Sequence, residues 1–471
     1  MRLGVISSTQ SKIAHIEMNK SEGECAMPDG GINNNRINGG ILLKCSAIAL
    51  LILVGVRIPI ASVAALLIAC LMLAFERKKK NRVLYILFLY PFAEIFSVSR
   101  DFTSLFTMLY VAHFIMMLSD KRGRVCVMPS VIFLTGYTSV RLFVEDIANG
   151  LTLVLGFQYL YFVFGEIKRT DTPGELIRDM VLFFTAGLIL ASVIGLGMEY
   201  VPGLSDILQY KTTKLADASR ITRFSGLVTS PASYSLDISL AIACVIALFY
   251  HKKIGKLFFP LLVVLFTFGF MTGSKSFLVS CAVLLMGFLL ISCGKRLSYG
   301  LAMTASAVIL GIIVYNVLED ETRRQLLLRF TSDLESGNVA VVTTGRVDIA
   351  LEYLKYIFSD IWALLFGSGM AENVLAGKGT HNAYIELLYS FGSVGSVIYL
   401  TAVINVCHYI PKTKIKRRLI DYLPLVNMLI RLLGINLIYR DGVYFHYILV
   451  WCILYQNNLI SDAKSRELTD L

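Results

Sequence analysis

The sequence predicts an all-α fold: a polytopic transmembrane helical bundle of about 14 spans with a large, partly helical outer loop. Three observations carry this. Of 471 residues, 56% are hydrophobic and 16% charged, against roughly 45–50% and about 25% in ordinary soluble domains, an excess too large for a water-soluble core. Apolar runs of about 17–25 residues, the length that crosses a bilayer, recur along the chain. The formal charge of +11 is gathered in short basic clusters between those runs. That is the pattern of topogenic lysines and arginines rather than of a nucleic-acid surface.

Residues 1–39 are polar, include Gly30-Gly31-Ile32-Asn33-Asn34-Asn35 and contain no apolar segment, so they do not look like a cleavable signal peptide and read as a disordered cytoplasmic tail. Runs then begin near Ile41, Ile60, Val83, Thr103, Val125, Gly150, Ile177, Ala232, Leu257, Phe277 and Ser298, which places helices 1 to 11 in residues 40–317. Further runs from Tyr384, Leu419 and Val443 place helices 12 to 14 in 384–457, and 458–471 form a second tail. The first two runs are separated only by Arg57, Ile58 and Pro59 and predict a tight helical hairpin. Every second connection is basic, as in Arg77 to Lys80, Lys121 with Arg122, Lys168 with Arg169, Lys252 with Lys253, Lys295 with Arg296, and Lys412 to Arg418. Lys and Arg are retained in the cytoplasm, so both termini fall there and the other loops face outward. Two outward loops are long, 198–231 and 318–383, and an irregular segment of such length is usually functional. No second soluble domain and no fixed-spacing repeat is present. The cysteines lie mostly in or beside apolar runs with no CxxC pair or Cys/His cluster, so neither a disulfide framework nor a zinc site is expected.

Within the second loop, Ile349, Ala350, Tyr353, Leu354 and Ile357 recur at helical spacing behind Thr344, a suitable N-cap, and predict an amphipathic helix that lies on the membrane and roofs a cavity. Ionisable residues inside spans are costly and by default point to function. Glu94, Asp237, Glu386 and Arg431 fall toward the outer ends of their spans, and Lys275 sits in the outer turn Thr272-Gly273-Ser274-Lys275-Ser276. The competing reading for each is snorkelling at a helix end, which suffices for Lys44, while His113, His408 and His446 read as packed or snorkelling.

The second loop closes with His381-Asn382, then nine residues, then Gly392-Ser393-Val394-Gly395. Upstream stand Gly345-Arg346 and Leu365-Phe366-Gly367-Ser368-Gly369, and the first long loop ends in Arg223-Phe224-Ser225-Gly226 and Ser230-Pro231-Ala232. This set resembles the O-antigen polymerase and O-antigen ligase family, over residues 223–395. It departs from that family's pattern at Ala232, where an Asn is expected. The resemblance implies a glycosyltransferase of the bacterial inner membrane, multi-pass, using a polyprenyl-diphosphate-linked oligosaccharide as donor and a glycan as acceptor. Its partners would be membrane lipids and, for a polymerase, a chain-length regulator; no nucleic acid and no cofactor are implied.

Chemistry suits the residues to that work. Guanidinium groups bind phosphate in a planar, permanently charged fork, and charge builds on the departing diphosphate, so Arg223 and Arg346 would stabilise the transition state above the ground state. The acceptor hydroxyl must lose a proton, and histidine is the side chain whose unperturbed pKa lies closest to neutral, so His381 fits that role. Lys275, Asn382, Glu386 and Asp237 are candidate substrate-binding groups, and Gly226, Gly392 and Gly395 the motif glycines. Against these stand plain alternatives: solvated arginines, a histidine that caps a helix, and glycines that permit close packing. No Asp-x-Asp occurs in the outer loops, so no metal is expected. Polymerase is favoured on family expectation and the His motif argues for ligase. From a different class, a transporter of lipid-linked sugars would show two related halves with charges at the midplane.

Overall fold

Each apolar run picked out in the sequence contains a helix in the computed structural model, but some are too short to be the expected spans, Arg82–Leu89 having 8 residues and Leu423–Leu432 10. The structure describes residues 38–98, 104–119, 129–142, 147–200, 224–228, 230–292, 297–317, 323, 346–369, 379–406, 419–435 and 443–469. Among these the chain is helical throughout and contains no strand. The N-terminal tail, Thr344 and most of loop 318–383 lie outside the described residues, and with them the expected roofed cavity.

The first pair, α1 (Gly39–Gly55) and α2 (Pro59–Phe75), forms the tight hairpin. Its turn depends on Gly55, where a Cβ would lie 2.7 Å from the backbone nitrogen of Ser62. Next, α3 (Arg82–Leu89) gives way to a 3₁₀ turn at Tyr90–Phe92, where Pro91 has no N–H to extend the helix. Helices α4 (Leu105–Ser119), α5 (Pro129–Leu142), α6 (Ile147–Arg169), α7 (Pro173–Tyr200), α8 (Pro231–Tyr250), α9 (Phe258–Met271), α10 (Lys275–Ser292) and α11 (Leu297–Val317) follow. The second loop contributes α12 (Arg346–Ser359) and α13 (Ile361–Phe366), and α14 (Ala383–Asn405), α15 (Leu423–Leu432) and α16 (Val443–Thr469) complete the chain. Five of these are long and apolar enough to cross a membrane: Pro173–Met198, Pro231–Tyr250, Lys275–Ser292, Gly300–Val317 and Ala383–Asn405. The last helix runs well past residue 457, where the sequence suggested that a tail begins.

Helix α8 is the axis of its surroundings. It packs against α7, α9, α10, α15 and α16, and 89% of its apolar window is buried, against 17% for α11. Small residues let neighbours approach it, and its polar groups find partners along one seam with α15. Arg431 donates to the Ala232 carbonyl at 2.6 Å and to Ser235 Oγ. Asn427 donates to Ser239 Oγ at 3.1 Å. At the far end of α8, His251 Nε2 meets Asp421 Oδ1 at 2.5 Å. Positions 232, 235 and 239 share one helical face, as do 427 and 431, so the antiparallel pair is zipped in a single register. Each such bond between helices in a bilayer contributes roughly 0.6–2 kcal/mol.

Helix α14 is broken. Gly392 has φ 66°, ψ −175°, a left-handed conformation that a Cβ resists. The break separates a short segment, Ala383 to Phe391, from the remainder of the helix. The carbonyls it frees are taken up by the loop: Ser368 N–H donates to the Tyr389 carbonyl at 2.7 Å and Gly369 N–H to that of Ser390 at 3.3 Å. The Tyr137 hydroxyl of α5 lies 2.6 Å from the Phe391 carbonyl and 2.7 Å from that of Phe366. Backbones touch here, since a Cβ on Gly392 would lie 2.4 Å from the Leu365 carbonyl and one on Gly367 2.4 Å from that of Ser390.

Candidate functional site

Helix α12 forms as its spacing predicts. Ile349, Tyr353 and Ile357 are buried against Tyr389, Leu364, Ile385 and Leu388, so the loop helix lies on the first segment of α14. Its first residue, Arg346, is half-buried and donates from Nη1 to the Gly434 carbonyl at 3.1 Å. Gly434 follows α15 and leaves the space: a Cβ there would meet Arg346 Nη1 at 3.3 Å. The Tyr384 hydroxyl donates to the Leu429 carbonyl at 2.9 Å, so the start of α14 and the start of α12 both rest on the end of α15.

From that same end of α15 comes Arg431, fully buried. Besides its bonds to α8, it donates from Nη1 to Ser276 Oγ at 2.5 Å. Ser276 and Ser274 hydroxyls are 2.9 Å apart, and Ser235 donates to Ser274 at 3.3 Å. A buried charge is tolerable only when such acceptors surround it. The arginine thereby pins the turn that carries Lys275, itself half-buried at the start of α10. Arg346 and Arg431 are thus both fixed near the end of α15, Arg346 by the Gly434 carbonyl and Arg431 by three oxygens, with Lys275 next to Ser276 in the turn that Arg431 holds.

His381 stands at this end, exposed and in the left-handed region at φ 49°. It is not the helix cap. Asn382 is, its Oδ1 accepting from Tyr384 N at 3.0 Å and Ile385 N at 3.2 Å. The imidazole is therefore not needed to start α14, and the Asn382 oxygen is committed to the backbone. Glu386 is half-buried one turn further along. Asp237 is placed differently: it is 3% exposed, inside the bundle, where its Oδ1 is 2.6 Å from His446 Nε2. Arg223 lies outside the described residues. The turn that follows it is anchored, with Phe224 stacked on Phe268 and Gly226 at φ 60°, where a Cβ would lie 2.8 Å from the Tyr234 ring.

The motif glycines make room for close neighbours, backbone at Gly392 and side chains at Gly226 and Gly395. Gly392 breaks α14, and Gly395 makes room for Tyr137, whose ring would be 2.6 Å from a Cβ. Sequence reasoning marked Arg431 as a charge in a span but gave it no role, and it missed Tyr137, Tyr384 and Gly434. Only Gly434 carried a signal, a glycine just past a helix end. Among the described residues no group of three or more His, Cys, Asp or Glu converges as for a metal ion. Comparison with protein-family models, with curated proteins and with solved structures finds no match to this chain.

Proposed function

We propose that this protein is a glycosyltransferase of the bacterial inner membrane that extends a surface polysaccharide, such as an O-antigen, capsule or exopolysaccharide. It would transfer glycan from a polyprenyl diphosphate carrier to an acceptor glycan at the outer face. In this reading about 14 helical segments span the bilayer with both termini in the cytoplasm, and the end bearing Arg346, Arg431, Lys275 and His381 faces outward. The observation that carries the reading is the docking of Arg346 on Gly434, at 3.1 Å, beside the Arg431 and Lys275 cluster. In this reading Arg346, the loop arginine of the resemblance, would meet a lipid diphosphate arriving from the bilayer together with Lys275. Arg346 and Lys275 would hold the diphosphate as its charge grows, Arg431 would position the turn under them, and the neutral His381 imidazole would accept the proton of the attacking hydroxyl.

Sugar transfer from a purified lipid-linked repeat unit tests this, with chelator added. Product longer than one repeat, lost in Arg346→Lys at normal protein level, is expected; full activity of the lysine variant would place the diphosphate elsewhere. Transfer to lipid A core instead would make the protein a ligase. A transporter of lipid-linked sugars is the second reading, favoured by the buried Asp237–His446 pair, since paired ionisable groups inside spans also mark ion and proton paths. Movement of a labelled lipid-linked sugar across vesicles, without transfer, would decide for it.

A further inference from the structure

We infer that the second loop re-enters the membrane: α13 and the Gly367–Gly369 segment lie within the outer leaflet, with Phe358, Ile361 and Trp362 against lipid chains. The inference rests on the membrane embedding proposed above and not on the transferase chemistry.

Depth is the first argument. Gly367 packs on Gly392 backbone to backbone, and Gly392 lies six residues beyond Glu386, about 9 Å at the helical rise. Helix α13 leads there from Asp360, whose exposed carboxylate caps it by accepting from Trp362 N at 2.9 Å. Its six residues again span about 9 Å. Both routes carry the chain about the same distance from a charged residue, Glu386 on one side and Asp360 on the other, to the Gly367–Gly392 contact. In a loop bathed by water the carbonyls freed at the α14 break would be solvated. Instead those of Tyr389, Ser390 and Phe391 are bonded by Ser368 N, Gly369 N and the Tyr137 hydroxyl. Protein donors for these three carbonyls are what a hydrocarbon surround demands.

Surface chemistry is the second. Helix α12 needs only the Ile349, Tyr353 and Ile357 face to dock, yet its apolar arc is wider. Helical spacing sets Val347, Leu351 and Phe358 together, and Asp348, Glu352 and Lys355 together on another face. Phe358 is 67%, Ile361 59% and Trp362 65% exposed. Below the break, α14 exposes Val394, Val397, Leu400 and Ile404 along one stripe, the surface of a span that faces lipid. Trp362 stacks on Phe366, an aromatic pair of the kind enriched at membrane interfaces.

The chain has 2 tryptophans, Trp362 and the buried Trp451, so fluorescence reads the inference directly. In vesicles of phosphatidylcholine brominated on its acyl chains, the emission difference between wild type and Trp362→Phe isolates Trp362, and Trp451→Phe measures it independently. Strong quenching by the brominated chains with little by aqueous iodide is expected. In Trp362→Phe/Glu352→Trp the new tryptophan, on the charged face, should show the reverse. Free quenching of Trp362 by iodide would overturn the inference, as would quenching by neither agent, which would mean that protein rather than lipid covers it. The readout needs no sugar substrate, so loss of the transferase reading would leave it intact.

Discussion

Gly392→Ala should detach the loop from the helix it rests on, and the cost can be worked from the geometry. A side chain at φ 66°, ψ −175°, a region all but confined to glycine, costs roughly 1–3 kcal/mol. The new Cβ would lie 2.4 Å from the Leu365 carbonyl carbon and oxygen and 2.5 Å from Gly367 N, backbone atoms that cannot swing aside. Restoring ordinary contact needs a retreat of about 1 Å, enough to break the 2.7 and 3.3 Å bonds from Ser368 and Gly369, at about 1 kcal/mol each. The sum is about 3–5 kcal/mol. Gly165→Ala is the control, since nothing lies within 4 Å of a Cβ there and an alanine inside a helix gains roughly 0.5–1 kcal/mol. Both would be unfolded in mixed micelles of increasing denaturing detergent, with protease cleavage between α12 and α14 read in parallel. Equal stability of the two variants, with the loop equally protected, would refute the claim that Gly392 and Gly367 form a backbone-to-backbone joint.

Three further outcomes are expected. His381→Gly relieves a left-handed side chain, so the variant should melt at or above wild type while losing sugar transfer; retained transfer would remove His381 from the chemistry. Asn382→Ala should instead cost about 1 kcal/mol by loss of the cap, visible as a lower melting temperature. Arg431→Lys loses the planar fork that spans Ser276, Ser235 and the Ala232 carbonyl, at roughly 1.5–3 kcal/mol, checked by the same detergent titration. Reporter fusions after Asp217 and Ser332 should report the outer compartment and one after Lys414 the cytoplasm; a cytoplasmic signal after Ser332 would sink the proposed orientation.

What could be read in the sequence was what period and composition encode. Helix positions followed from apolar runs, the α1–α2 hairpin from Arg57, Ile58 and Pro59 between two of them, and the buried face of α12 from Ile349, Tyr353 and Ile357. Pairings between distant segments could not be read. Asp237 meets His446 across 209 residues and His251 meets Asp421 across 170, and nothing local in either partner announces the other. The cap of α14 illustrates a finer limit. His381 and Asn382 are adjacent and both polar, and only the structure assigns the capping oxygen to Asn382. The break at Gly392 was likewise hidden, because glycines in a membrane helix are as often there for packing.

The seam between α8 and α15 also bears on how the protein is made. Ser239 and its partner Asn427 are 188 residues apart, a delay of about 10–40 s at ordinary rates of synthesis. During that interval α8 lacks its bonds to Asn427, Arg431 and His446, and closure comes only when α15 and α16 emerge. A ribosome that stops before residue 419 therefore releases a chain whose core is open, for the cell's proteases to recognise.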